Sequence, residues 1–255
     1  MIPASFDYVR AESPDHAVQL LREHGDEAKL LAGGHSLLPL MKLRLATPSV
    51  LVDVNDVGDQ SEIRLDGDEL REHVPLLRAA AERVGDPQVR HRGTLAGSLA
   101  HGDPASDLPA ACLALGATFI ARGAGGERQI PADAFFRGFL ETALGPDELL
   151  TEIRVPKQPQ TRWGWQKLTR RAQDWAIVGV AAVMNGTPRV ALVNMDDHPV
   201  RARAVEDALA GGAAPRDAAQ RAADGVSPPT DLNGDAEYRS HLARVLVQRA
   251  LEGAG

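Results

Sequence analysis

The 255-residue sequence predicts an α+β fold built in two parts. Helical and strand patterns alternate along residues 1–155. A stretch at 156–161, with Pro156, Pro159 and two glutamines, then breaks the pattern like a linker. Beyond it three strands come first and two helices after, in blocks, which is the arrangement of a separate α+β domain. The expected division is residues 1–158 and 159–255, with a further break inside the first part near 55–60.

Each element has its own signal. Ser13, Pro14 and Asp15 read as an N-cap, a proline and an acid in a first turn. Ala17, Leu20 and Leu21 follow at helical spacing, and Gly25 is the stop. Residues 28–32 and 50–54 read as buried strands, and 62–65 as a third, turned by Asp66 and Gly67. Residues 74–84 carry Leu76, Leu77, Ala80 and Val84 on one helical face. Residues 93–107 show no periodicity and read as a long loop. Asp107 is expected to cap a short helix through Leu115. A hairpin is expected at 117–122 and 128–130, and a strand at 149–155. In the second part the spacing predicts a three-stranded meander over 163–167, 175–184 and 189–194, then helices over 200–210 and 236–252.

Composition excludes several classes. With 28 Lys and Arg against 35 Asp and Glu, the net charge is −7. Nothing basic clusters to neutralise a phosphate backbone, so no nucleic-acid partner is expected. A single cysteine, Cys112, rules out an internal disulfide, a four-cysteine iron–sulfur cluster and a cysteine zinc site. It lies in an apolar run and reads as a small buried hydrophobe. His35, His91 and His101 lack metal-ligand spacing, and no nucleophile–base pair is evident, so neither metal ligands nor catalytic residues are assigned. No stretch is apolar enough for a membrane span, and a cytoplasmic location is expected.

Two glycine turns carry the chemistry. Ala32, Gly33, Gly34, His35, Ser36 and Leu37 follow a strand directly, and adjacent glycines let successive amides face one side. Such a nest suits an anion, although an ordinary turn that binds nothing fits equally well. Thr94, Leu95, Ala96, Gly97 and Ser98 repeat the pattern, followed by the carboxylates Asp103 and Asp107. Backbone and hydroxyl donors suit a pyrophosphate, and carboxylates suit ribose hydroxyls, so the two loops together suit a dinucleotide. Neither loop is a Walker or a Rossmann turn.

At these loops the chain resembles the FAD-binding medium subunit of the molybdenum hydroxylases, most closely the carbon monoxide dehydrogenase type. The strings at 32–44, 93–98 and 103–109 carry the resemblance, joined by 149–153, 166–171 and 199–202. It implies a two-subdomain FAD-binding domain, of the PCMH or vanillyl-alcohol-oxidase kind, followed by a smaller flavoprotein domain. It implies that residues 32–36 and 94–98 wrap the FAD pyrophosphate, with Asp107 on the ribityl or adenosine side. A leucine, Leu149 or Leu150, would pack on the isoalloxazine, with Gln166 or Lys167 approaching the flavin.

The partners implied are an iron–sulfur small subunit and a molybdopterin large subunit in a hetero-oligomer. The activity implied is transfer of electrons from partner [2Fe–2S] clusters to an external acceptor. Two departures from the family bear on the cofactor: Ala96 stands where glycine is usual, and the region 65–75 is short by about a strand and a helix. A non-catalytic assembly subunit that has lost tight FAD binding is the alternative, and a stand-alone flavin oxidoreductase a third reading.

Overall fold

The computed structural model describes residues 2–57, 68–158 and 161–253. Its first unit runs β1 (Asp7–Arg10), α1 (Pro14–His24), β2 (Ala28–Leu31), α2 (Leu37–Lys42) and β3 (Val50–Asp53). The strands form a parallel sheet in the order β1-β3-β2. α1 is closed as its sequence dictates: the Ser13 hydroxyl accepts the His16 amide at 3.1 Å, and Gly25 ends the helix at φ 54°. Its face of Ala17, Val18, Leu20 and Leu21 is buried with β3, whose four residues are all buried. β1 has no counterpart in the sequence reading. It is an edge strand with one half-buried and three exposed residues, so no apolar alternation marks it. The strand expected at 62–65 lies outside the described residues.

Five helices follow: α3 (Asp68–His73), α4 (Pro75–Glu82), α5 (Pro87–Arg92), α6 (Leu95–His101) and α7 (Asp107–Leu115). The presumed loop at 93–107 therefore contains a helix. Its apolar positions are only Leu95 and Leu99 among small residues, too few to show a period. A three-stranded antiparallel sheet comes next, built from β4 (Thr118–Gly123), β5 (Gly126–Pro131) and β8 (Leu149–Arg154) in the order β5-β4-β8. The hairpin β6 (Phe136–Gly138) and β7 (Glu141–Thr142) lies between β5 and β8 in sequence.

The last unit is β9 (Trp163–Leu168), β10 (Val178–Val183), β11 (Arg189–Val193) and β12 (Val200–Arg201), then α8 (Arg203–Ala210), α9 (Pro215–Ala219) and α10 (Ala236–Glu252). The expected three-stranded meander is thus a four-stranded sheet, β12-β11-β10-β9. Val200 and Arg201 pair with β11 instead of opening the helix, and Trp175 precedes the strand it was assigned to.

Both faces of this sheet are covered. Val180, Ala182, Val190 and Leu192 pack with α8, α9 and α10, while Ala181, Val183, Ala191 and Val193 join the core around α4 and α7. That double burial explains why all six residues of β10 are buried. It also explains α7, a helix buried on every side. Cys112 sits inside it, and burial pushes its thiol up to about 12, so it is packing, as its apolar surroundings imply.

On the outer face α10 lies against β9 at Gly164, where a β-carbon would stand 2.0 Å from the Ala250 carbonyl oxygen. Gly164→Ala is accordingly expected to cost about 2 kcal/mol or more. Denaturant titration measures it, and an unchanged midpoint would contradict that backbone contact.

Candidate cofactor-binding site

The two glycine turns meet. A β-carbon on Gly33 would stand 2.1 Å from the Arg92 carbonyl oxygen and 3.0 Å from Gly93 Cα. The main chain of the first turn therefore touches the strap that leads into the second. A β-carbon on Gly97 would lie 4.0 Å from that of Ala32. Between the turns opens a cavity of about 650 Å³, within the range of about 300–1,000 Å³ usual for small-molecule and cofactor sites. Ala32, Gly33, Gly34, His35, Ser36 and Leu37 line it from one side. Thr94, Leu95, Ala96, Gly97 and Ser98 line it from the other.

Local sequence builds both turns. Gly34 takes φ +75°, a left-handed conformation that suits glycine, and lets α2 begin at Leu37. Among the described residues, the amides of Gly33, Gly34, His35 and Ser36 donate to no backbone oxygen. Thr94 caps α6, its hydroxyl accepting the Gly97 amide at 3.1 Å. This leaves the Leu95 and Ala96 amides without a backbone acceptor, as at any helix start. Two sets of donors free of backbone acceptors thus border one cavity, which is what a diphosphate requires.

Ala96 sits in its turn without backbone strain. It is the second residue of α6 and is absent from the residues of positive φ, so a β-carbon fits its backbone. Ser98 bonds Ser106 through the two hydroxyls at 2.7 Å and ties α6 to the start of α7.

Asp107 is not the N-cap the sequence suggests. Ser106 holds that position, and Asp107 is the first helical residue. Its carboxylate instead meets Lys167, on β9 of the second domain, at 2.6 Å. Both side chains are buried, 5% and 2% exposed. The ammonium also donates to the Arg83 carbonyl at 3.0 Å. Among the described residues the second oxygen, Oδ1, has no partner. Desolvation pushes the Asp107 carboxyl up to about 6, against the opposing pull of Lys167 and Arg83. A buried acceptor left open on the wall of the cavity fits a ligand hydroxyl.

The structure separates the remaining sequence candidates. Leu149, buried at the start of β8, lines the cavity, as does Leu150. Lys167 lines it and Gln166 does not. Asp103 is not brought to the wall; its Oδ1 accepts the Ala105 amide at 2.8 Å and closes a turn. Its short side chain is used locally because the turn needs an acceptor two residues ahead. The sequence reading missed Gln173, Asp174 and Trp175, which reach the cavity from the connection between β9 and β10. Trp175 is 59% exposed and sits at the rim. An aromatic side chain beside the charged residues at 170–174 was its only signal, and the strand expected from 175 hid it.

Comparison with known proteins follows the same lines. The family model for the FAD binding domain in molybdopterin dehydrogenase matches residues 4–71 and 67–158. That for the CO dehydrogenase flavoprotein C-terminal domain matches residues 163–254. The chain belongs to the carbon monoxide dehydrogenase medium-chain family. It is 41% identical over 282 positions to the carbon monoxide dehydrogenase medium chain of Hydrogenophaga pseudoflava, covering 100% of this chain and 98% of that one. The medium chain from Afipia carboxidovorans is 39% identical over 282 positions, with the same coverage. The structure of the Hydrogenophaga pseudoflava dehydrogenase lacking the Mo-pyranopterin moiety superimposes with a TM-score of 0.96, covering 100% of this chain and 98% of that chain at 41% identity.

The carbon monoxide dehydrogenase medium-chain family consists of oxidoreductase subunits, and FAD is the cofactor its first domain binds. The residues present fit that group: two facing sets of open amides, an unpartnered buried carboxylate oxygen and an apolar wall at Leu149. The alignment runs over 282 positions against 255 residues, so the Hydrogenophaga relative carries residues this chain lacks. The first family match breaks and resumes at 67–71, inside the stretch the sequence marks as short.

Two outcomes are expected at this site. Gly33→Ala would force the two straps apart, and we expect FAD binding to fall by at least about tenfold, read by titrating the flavin-free protein. Asp107 is above its ordinary value in the folded state, so its contribution to stability is full at low pH and declines as pH rises through about 6. Asp107→Asn cannot ionise and is expected to remove that decline. Denaturation midpoints of both proteins across this range decide it: parallel curves would rule the shift out.

Proposed function

We propose that this chain is the FAD-binding electron-transfer subunit of a molybdenum hydroxylase complex, with an iron–sulfur small subunit and a molybdopterin large subunit as partners. FAD, when bound, supplies a centre that accepts electrons one at a time and releases them singly or in pairs. The observation that carries the reading is the meeting of the two glycine turns around one cavity, with open amides on both sides.

In this reading residues 32–37 and 94–98 hold the diphosphate by main-chain donors and the hydroxyls of Ser36 and Ser98. Asp107 accepts a ribityl or adenosine-side hydroxyl at Oδ1, and Lys167 keeps it ionised enough to do so. Leu149 gives the ring system an apolar surface, which excludes water and strengthens the polar contacts nearby. The division into an FAD-binding part, residues 1–158, and a flavoprotein C-terminal part, 159–255, belongs to the same reading; the two family matches support it.

Electrons would enter from partner [2Fe–2S] clusters and leave to an external acceptor. With a single cysteine, buried and with its thiol pushed up to about 12, the chain does not offer the four cysteines of such a cluster. Oxidation of the primary substrate falls to the large subunit on this reading. No helix among the described residues is long and apolar enough to cross a membrane. A cytoplasmic location fits a chain that needs no disulfide.

The purified protein is expected to carry flavin absorption, or to gain it on adding FAD, with FAD and not FMN released on denaturation. A colourless protein that ignores added FAD would sink the proposal. If that protein still co-purified with both partner subunits, the assembly reading suggested by its missing length would replace it.

A further inference from the structure

Just beyond β3, Asn55 turns its carboxamide back to the first glycine turn. Its Nδ2 donates to the Ala32 carbonyl at 3.1 Å and to Asp53 Oδ1 at 2.7 Å. The Asn55 main-chain amide donates to the same Asp53 oxygen at 2.8 Å. The other Asp53 oxygen accepts the Tyr8 hydroxyl, from β1. All three strands of the parallel sheet therefore contribute: Tyr8 from β1, Asp53 from β3, and Ala32 at the exit of β2. Asp53 is 7% exposed. Burial alone would raise its carboxyl, but the bonds from Tyr8 and Asn55 hold it below its ordinary range, so an anion faces both donors.

The consequence lies in the geometry of one peptide unit. The Ala32 C=O and the Gly33 N–H belong to the same peptide, and the described chain has no cis bonds. In a trans peptide these two groups point in opposite directions. Fixing the carbonyl on Asn55 turns the Gly33 amide away from Asn55, and that amide meets no backbone oxygen among the described residues. Gly33 is also the residue in contact with the Arg92 carbonyl, so its peptide has two constraints and little freedom to flip.

We propose that Asn55 is a positioning residue for the diphosphate site: its carboxamide, held by Asp53 and Tyr8, sets the Ala32–Gly33 peptide so that the Gly33 amide serves the ligand. The inference rests on the FAD-binding reading. It concerns the diphosphate portion of the ligand alone, and that gives it a test of its own.

The experiment uses flavin-free full-length protein and three probes: FAD, ADP, which keeps the diphosphate, and riboflavin, which has none. Asn55→Ala and Asn55→Asp both remove the donor. Each is expected to weaken FAD and ADP by about fivefold to tenfold and to leave riboflavin unchanged. Tyr8→Phe, on an exposed edge strand, keeps the fold should the Asn55 variants fail to accumulate. It is expected to weaken ADP by about twofold to threefold, again without an effect on riboflavin. ADP affinity equal to wild type in the variants would overturn the inference. An equal loss for ADP and riboflavin would also overturn it, since a general loosening of the sheet would act on both. If wild type binds neither FAD nor ADP, the proposed function fails, and this inference with it.

Discussion

The contact on which the rest depends is one between two stretches of main chain. Gly33 lies so close to the Arg92 carbonyl that no side chain fits between them. Without that approach, the parallel sheet of β1, β2 and β3 and the helices α5 and α6 would be separate surfaces. With it, the strand ends and the helix start face each other across a gap of cofactor size. Glycine is needed here for clearance, whereas at Gly34 it is needed for the left-handed turn. The two neighbours do different jobs, and neither replaces the other.

A second join holds the far wall. The Asp107–Lys167 pair bridges the first domain to the sheet of the second, deep enough that water does not screen it. A buried pair of this kind is a weak source of net stability, because desolvating both ions offsets most of their attraction. Its value is in geometry. Lys167 is fixed by two acceptors, Asp107 on α7 and the Arg83 carbonyl just past the end of α4, and Asp107, which lines the cavity, is left with one oxygen unpartnered among the described residues. Burial is what raises its carboxyl, and the open oxygen is free to accept from a ligand hydroxyl.

The sequence revealed the elements whose signal is local. α1 has its cap, proline and stop written between Ser13 and Gly25, and the β4–β5 hairpin pairs Gly123 with Gly126 around its turn. Elements whose reason for existing lies elsewhere were missed or misjudged. β1 is held by pairing to β3 and has no buried face of its own, and α6 is short and made of small residues. β12 is two residues long and exists because β11 offers it an edge. Asp103 and Asp107 looked alike in sequence, four apart on a polar stretch. Only packing against β9 gave Asp107 a buried partner, while Asp103 closed its own turn.

What the sequence by itself determined was the inventory: the mixed fold, the two glycine turns, the absence of cysteine ligands and the family likeness they carry. Each of these depends on residue identity and near-neighbour spacing, which a string of letters contains in full. Tertiary structure decided which side of the chain each group serves. The burial of Lys167, the orphaned oxygen of Asp107 and the tether from Asn55 to Ala32 join residues 23 to 60 positions apart. Such pairings are set by how sheets and helices stack, and no local pattern records them.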